Sequence, residues 1–169
     1  MNKHLKIRQV KEDDAEQFVN LQEDLEQSGF MLHEPGEKKR TVESECERLK
    51  KINRLEFTNV WVAEMDQQIV GQITAVRGRE LRNRHSVYIA LGVHSRFRAN
   101  GIGGSLIDYL SDWAEDSGVL RLELTVIKKN ENAVKLYQKK GFEIEGEKVN
   151  SLLINNQLEN EYYMYKLIN

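Results

Sequence analysis

"RANGIGG", Arg98–Gly104, sets three glycines and an arginine directly before a run of helix-forming sequence. Glycine carries no side chain to hide its backbone, so a loop of this kind exposes several N–H groups. At a helix start those donors stand at the positive end of the helix dipole, which makes an anion site. Upstream, "SVYIALGV" (86–93) reads as a strand, with Val87, Ile89, Leu91 and Val93 on one side. Tyr88, Ala90 and Gly92 fall on the other side, where the small residues are expected to leave strand backbone uncovered. Downstream, Ile102, Leu106, Ile107, Leu110, Trp113 and Ala114 trace one helical stripe ending near Gly118.

The flanking sequence continues the pattern. "HLKIRQV" (4–10) alternates and predicts a first strand. Asp13 or Asp14 caps a helix running to about Gln27, with Phe18, Leu21 and Leu25 on one face. Pro35-Gly36 marks a turn, and a second helix is expected over 41–55. "NVWVAEM" and "IVGQITAVRG" flank a polar "DQQ", the signature of a hairpin. "VLRLELTVI" is a further strand, "NENAVKLYQKKGF" a short helix with its stop, and "NEYYMYKLI" a last strand. The expected order is β-α-α-β-β-β-α-β-α-β-β, an α/β (α+β) domain.

At 169 residues the chain is expected to form a single domain, 1–169, with a real core. A net charge of −2 gives no reason to expect nucleic acid or an anionic membrane as partner. Cys46, the sole cysteine, excludes an internal disulfide and a cysteine-based metal cluster. His33, His85 and His94 are scattered without metal-ligand spacing, so no metal is expected. "MNKHLKIRQV" lacks the apolar core of a signal peptide, and no stretch reaches membrane-span length. The expectation is a cytoplasmic protein without membrane attachment. Arg77, Arg79, Arg82 and Arg84 form a basic hairpin tip that reads as a solvated run, with the steering of an acidic partner as the alternative.

Two common phosphate loops can be tested against the glycines. A P-loop needs Gly-Lys-Ser/Thr, and no glycine here is followed that way. A dinucleotide fingerprint starting at Gly101 needs a glycine where Leu106 stands. What remains is Arg98-x-x-Gly101-x-Gly103 between a strand and an amphipathic helix. That hexapeptide resembles the [RQ]-x-x-G-x-[GA] acetyl-CoA pyrophosphate loop of the GNAT superfamily of N-acetyltransferases. "NENAVKLYQKKGF" resembles the family's second motif at Asn130, Ala133, Leu136, Tyr137, Gly141 and Phe142. The two together, in order and separated by a helix and a strand, are jointly specific.

The resemblance implies a GNAT fold: a mixed, mostly antiparallel, twisted sheet of about seven strands flanked by helices, opening between strands 86–93 and 119–127. It implies acetyl-CoA as co-substrate and a primary amine as acceptor, attacked directly in a ternary complex. Arg98, Ala99, Asn100, Gly101, Ile102, Gly103 and Gly104 would hold the pyrophosphate. Leu91, Gly92 and Val93 would pair with the pantetheine amides, the Val93 N–H polarising the thioester carbonyl. Asn130 would face the pantetheine arm, or act as a helix cap, or both. Lys139, ahead of Lys128 and Lys129, would meet the 3′-phosphate. Tyr137 would protonate the leaving thiolate; a thiol near about 8.5 and a phenol near about 10 make that transfer nearly balanced.

The general base is open. Ribosomal-protein alanine acetyltransferases resemble this chain in both motifs but carry a glutamate where Thr125 stands. Glu123 is the fallback base and Glu34 another candidate; the resemblance implies that the segment holding Glu34, "FMLHEPGE", lines the acceptor pocket. A non-catalytic acyl-CoA sensor and a small nucleotide-binding module are the rival readings. A homodimer is a family-level expectation.

Overall fold

A computed structural model describes residues 4–169. Seven strands and four α-helices follow the expected order: β1 (Leu5–Gln9), α1 (Ala15–Glu26), α2 (Val42–Ile52), β2 (Thr58–Met65), β3 (Gln68–Arg77), β4 (Ser86–Val93), α3 (Ile102–Asp116), β5 (Arg121–Ile127), α4 (Glu131–Lys139), β6 (Glu143–Ile154) and β7 (Gln157–Leu167). Strands neighbour one another in the order β1-β2-β3-β4-β5-β7-β6. The β1–β2, β2–β3, β5–β7 and β6–β7 pairs are antiparallel and β4–β5 is parallel. This is the α/β fold that the sequence motifs imply.

The chain divides into two compact units. The first ends at Val76 and also takes Ala90–Tyr109. Its core is built by Val10, Ala15, Phe18, Leu21, Leu25, Leu49, Ile52, Val60, Val62 and Ile69. Half-buried Met31 and Cys46 pack against that cluster, which accounts for the lone cysteine. Phe18, Leu21 and Leu25 form the buried face of α1 as their spacing predicts. Asp14 stands at the N-cap position of α1, but its side chain makes no capping bond there, because its oxygens are taken by Arg8 and the Lys11 N–H. Both its oxygens accept from Arg8 at 2.8 Å, and one also accepts the Lys11 N–H at 2.7 Å. Thr41 and Ser44 exchange side-chain-to-backbone hydrogen bonds of 3.0 Å at the start of α2, a reciprocal cap. Asp66 and Gln67 both take positive φ, 48° and 67°, which gives the β2–β3 hairpin its two-residue turn.

The second unit holds Arg77–Ile89 and Leu110–Asn169. Val87, Ile89, Leu110, Ala114, Leu122, Leu124, Val126, Phe142 and Met164 are buried there. Gly118 after α3 and Gly141 after α4 have φ of +67° and +91°, the left-handed stops expected of both. The β6–β7 hairpin turns on Asn155-Asn156, again with two positive φ values, 49° and 60°.

Candidate active site

The glycine loop lies in the first unit. β4 ends at Val93, a single 3₁₀ turn (Ser95–Phe97) follows, and α3 opens at Ile102. Ala99 and Gly101 adopt positive φ, 61° and 77°, and turn the chain into the helix. The first intrahelical bond runs from the Ser105 N–H to the Gly101 carbonyl at 3.0 Å. Helix geometry therefore leaves the N–H groups of Ile102, Gly103 and Gly104 without a carbonyl to reach inside α3. They gather at its positive end, an anion cradle. Arg98 is exposed beside it and donates through Nε to the Val93 carbonyl at 3.3 Å. The Asn100 side chain donates to the carbonyls of Phe97 and Arg98, both at 3.2 Å, bracing the turn.

A residue the sequence did not flag anchors this loop. Asp24 of α1 accepts the Ser95 N–H at 2.7 Å and the Ser95 hydroxyl at 2.6 Å. Burial alone would raise its pKa. The two Ser95 bonds, with the charges of His94 and Arg98, outweigh that and hold the carboxyl below the usual carboxylate range. No spacing motif marks Asp24; on the helix it looks like any surface aspartate.

Along β4 one expectation needs correction. The alternation of burial breaks after Ala90: Val87 and Ile89 are buried, Tyr88 and Ala90 exposed, Leu91 half-buried and Gly92 buried. Gly92 does not leave backbone bare. A Cβ there would stand 2.4 Å from Leu25 Cδ1, so the glycine lets α1 lie directly on the strand. Val93, half-buried, ends the strand in front of the loop.

The other candidate residues of catalysis lie in the second unit. The parallel β4–β5 ladder consists of three Cα pairs, Ser86↔Arg121 to Tyr88↔Glu123. At its end Tyr88, Glu123, Leu124, Thr125, Glu145 and Tyr163 line a cavity of about 410 Å³. The hydroxyls of Tyr88 and Thr125 are hydrogen-bonded at 2.9 Å. Glu123 accepts from Arg121 Nε at 3.0 Å, and the same guanidinium is bonded to Glu145. Glu145 escaped the sequence reading because β6 shows no clean alternation; its partner residues shift register between Ile144 and Gly146.

Tyr137, on α4, is 7 % exposed and packs edge-on against Phe142 with centroids 5.6 Å apart. Burial, with Tyr88 adding to it, pushes its phenol above the ordinary value. The near balance of proton transfer expected from unperturbed values is thereby corrected: the group is a firmly protonated donor. A thiolate brought into the same dry surroundings is made more basic by the same desolvation, which restores part of the driving force.

Asn130 caps α4, its side-chain oxygen accepting the Ala133 N–H at 3.4 Å. Lys139 is exposed in the last turn of α4. Lys128 and Lys129 are bound to Glu147 and Glu159. Glu34 belongs to the first unit, exposed in a turn where its N–H donates to Glu37 Oε2 at 2.8 Å. His94 serves its own turn, accepting the Arg96 N–H at 3.2 Å.

Comparison with known proteins matches these elements. The model of the acetyltransferase (GNAT) family fits residues 15–142, which include both motifs. The L-amino acid N-acetyltransferase AaaT of Escherichia coli K12 is 34 % identical over 110 residues, 63 % of this chain. The match spans 66 % of that protein's length. A GNAT-family acetyltransferase from Streptococcus pneumoniae superposes with a TM-score of 0.89 at 29 % identity, covering 98 % of this chain and 99 % of that one. A ribosomal-protein-alanine N-acetyltransferase from Brucella melitensis follows at 0.83 and 25 %, covering 96 % and 99 %. With both motifs, the strand order and a family match across most of its length, the chain belongs to the GNAT family of acetyltransferases.

Proposed function

We propose that the protein transfers an acetyl group from acetyl-CoA to a primary amine, by direct attack in a ternary complex, as one catalytic domain acting in the cytoplasm. The observation that carries this reading is Tyr137: a buried, protonated phenol in the family's second motif, near enough to feel the charge of Tyr88, which lines a cavity of about 410 Å³. The N–H groups of Ile102, Gly103 and Gly104, with Arg98, hold the pyrophosphate, while Ala99, Asn100 and Gly101 shape the turn. Leu91, Gly92 and Val93 run along the pantetheine arm.

The amine nitrogen attacks the thioester carbonyl, and the Val93 N–H stabilises the oxyanion that forms. The amine's proton passes to Glu123 or to solvent. The C–S bond then breaks, and the Tyr137 hydroxyl supplies the proton that converts the thiolate to CoA-SH. No cysteine, serine or histidine stands out as a covalent relay, in keeping with one-step transfer. Asn130 orients the arm, Lys139 meets the 3′-phosphate and Glu34 contributes to acceptor binding. Free amino acids, as the name of the Escherichia coli relative suggests, small amines and protein N-termini are the acceptors to test.

Two measurements test the reading. Acetyl-CoA and CoA should raise the melting temperature where ATP and NAD do not. Thiol release from acetyl-CoA should depend on an added amine. Thermal stabilisation without thiol release across a broad amine panel would instead identify a sensor.

A further inference from the structure

Resting on the acetyl-transfer reading, we infer that the cavity beside Tyr88 and Thr125 selects acceptors that arrive as simple cations, and disfavours amines carrying a carboxylate next to the reacting nitrogen. Three features of the second unit converge on this.

The first is the hydroxyl pair. Tyr88 and Thr125 share one hydrogen bond of 2.9 Å. Two hydroxyls offer two protons and four lone pairs, so after that bond they retain acceptor sites for the N–H groups of an ammonium or amine. Thr125 stands where the ribosomal-protein enzymes resembling this chain carry a carboxylate, and Tyr88, 41 % exposed, fills in beside it. Nothing in the sequence motifs assigns Tyr88 a role.

The second is the lining. Glu123 and Glu145 contribute carboxylates, and Tyr88 presents aromatic surface, while the Tyr163 ring already holds Lys148 Nζ at 5.7 Å. A cation is favoured by the carboxylates through charge and by the Tyr88 ring through its face.

The third decides against a carboxylate. Among the described residues lining the cavity there is no lysine or arginine. Arg121, the cation bonded to both lining glutamates, is already committed. Its guanidinium is bonded to Glu123 through Nε and to Glu145 through Nη2, and lies over the Tyr165 ring at 5.1 Å. Lys148, the cation over the Tyr163 ring at 5.7 Å, is likewise paired, with Glu161 at 3.4 Å, so Arg121 and Lys148 stand against Glu123, Glu145 and Glu161 and the local balance is −1. An acceptor carboxylate entering there meets like charge with no free partner, and a desolvated unpaired carboxylate is costly.

Matched amine pairs that differ only by the carboxylate test this. Phenethylamine against phenylalanine, tyramine against tyrosine and phenylalaninamide against phenylalanine are each assayed for thiol release from acetyl-CoA. The carboxylate-free member of each pair should be used with a kcat/KM at least tenfold higher. Glu145→Gln should narrow that ratio, since it removes one negative charge and releases an Arg121 donor for the substrate carboxylate. Tyr88→Phe should raise the acceptor KM while leaving that for acetyl-CoA unchanged, a split that a merely structural role would not produce. Equal use of both members, or preference for the amino acid, overturns the inference and leaves acetyl transfer standing. An absence of release with every member of every pair overturns the acetyl-transfer reading and this inference with it.

Discussion

The glycine loop of the first unit and the cavity of the second are built on opposite plans. The loop offers backbone: the N–H groups of Ile102, Gly103 and Gly104 are fixed by where α3 starts, Asn100 braces the turn, and Arg98 stands exposed beside them. The cavity works with side chains drawn from four strands, Tyr88 of β4, Glu123 and Thr125 of β5, Glu145 of β6 and Tyr163 of β7. A backbone site tolerates most substitutions that keep the chain's path and fails when that path is closed. A side-chain site fails one atom at a time. The experiments below probe that contrast, from the largest expected effect to the smallest.

Tyr137→Phe removes one oxygen and nothing else. Turnover should fall by about 10²–10⁴-fold, with acetyl-CoA affinity nearly unchanged. Steady-state kinetics with calorimetric binding reads both. Because the phenol titrates well above its ordinary value, no alkaline limb below pH about 10 should belong to Tyr137. Unchanged turnover in the variant would remove the tyrosine from the chemistry.

Gly92→Val attacks the other plan through packing. Its Cβ would stand 2.4 Å from Leu25 Cδ1 and 3.3 Å from Leu25 Cγ, so the Leu25 side chain, buried in the core, must shift. Denaturant unfolding should show a loss of about 1–3 kcal/mol, and acetyl-CoA binding should weaken along with it. Full stability would mean that α1 does not lie on β4 as described.

Asp24→Asn removes charge while keeping shape. Losing charge-assisted bonds to Ser95 should cost about 1–3 kcal/mol at neutral pH. The sign with pH is fixed by the lowered pKa. The aspartate's contribution is complete above its unfolded value near about 4 and is lost as pH falls through the lower folded value. Parent and variant should therefore converge in stability toward acid, and a gap that persists at low pH would mean the charge is not its source.

Gly101→Ala is the mildest. Nothing lies within 4 Å of the added Cβ, so the cost is conformational alone, about 1 kcal/mol for φ of +77°. Acetyl-CoA affinity should drop several-fold while turnover of the saturated enzyme holds.

The same contrast explains what could be read from sequence. Glycines, a helix start and an arginine are local, so the loop at 98–104 was legible, as were β4, α3 and α4. The two-residue turn at Asp66-Gln67, in the polar stretch of the expected hairpin, belongs to the same local grammar, whereas the turn at Asn155-Asn156 was not singled out. The strand β6 was the obscure element. Its residues are mostly exposed, and its pairing with β7 shifts register twice, so alternation never builds up. Glu145 was hidden with it. Gly92 was misplaced because a period-two reading cannot register the change of buried face between Ile89 and Gly92. Asp24 and Tyr88 act through partners 71 and 37 residues away in the chain, and no window of sequence contains such a pair.

The central claim is that the amides at the start of α3 receive the diphosphate of coenzyme A. Titrating isotopically labelled protein with CoA, and following the amide resonances of Ile102, Gly103 and Gly104, tests it most directly. The account predicts saturable shifts at all three, abolished by removing the pyrophosphate from the ligand. Saturable binding that leaves those three resonances unmoved would contradict it.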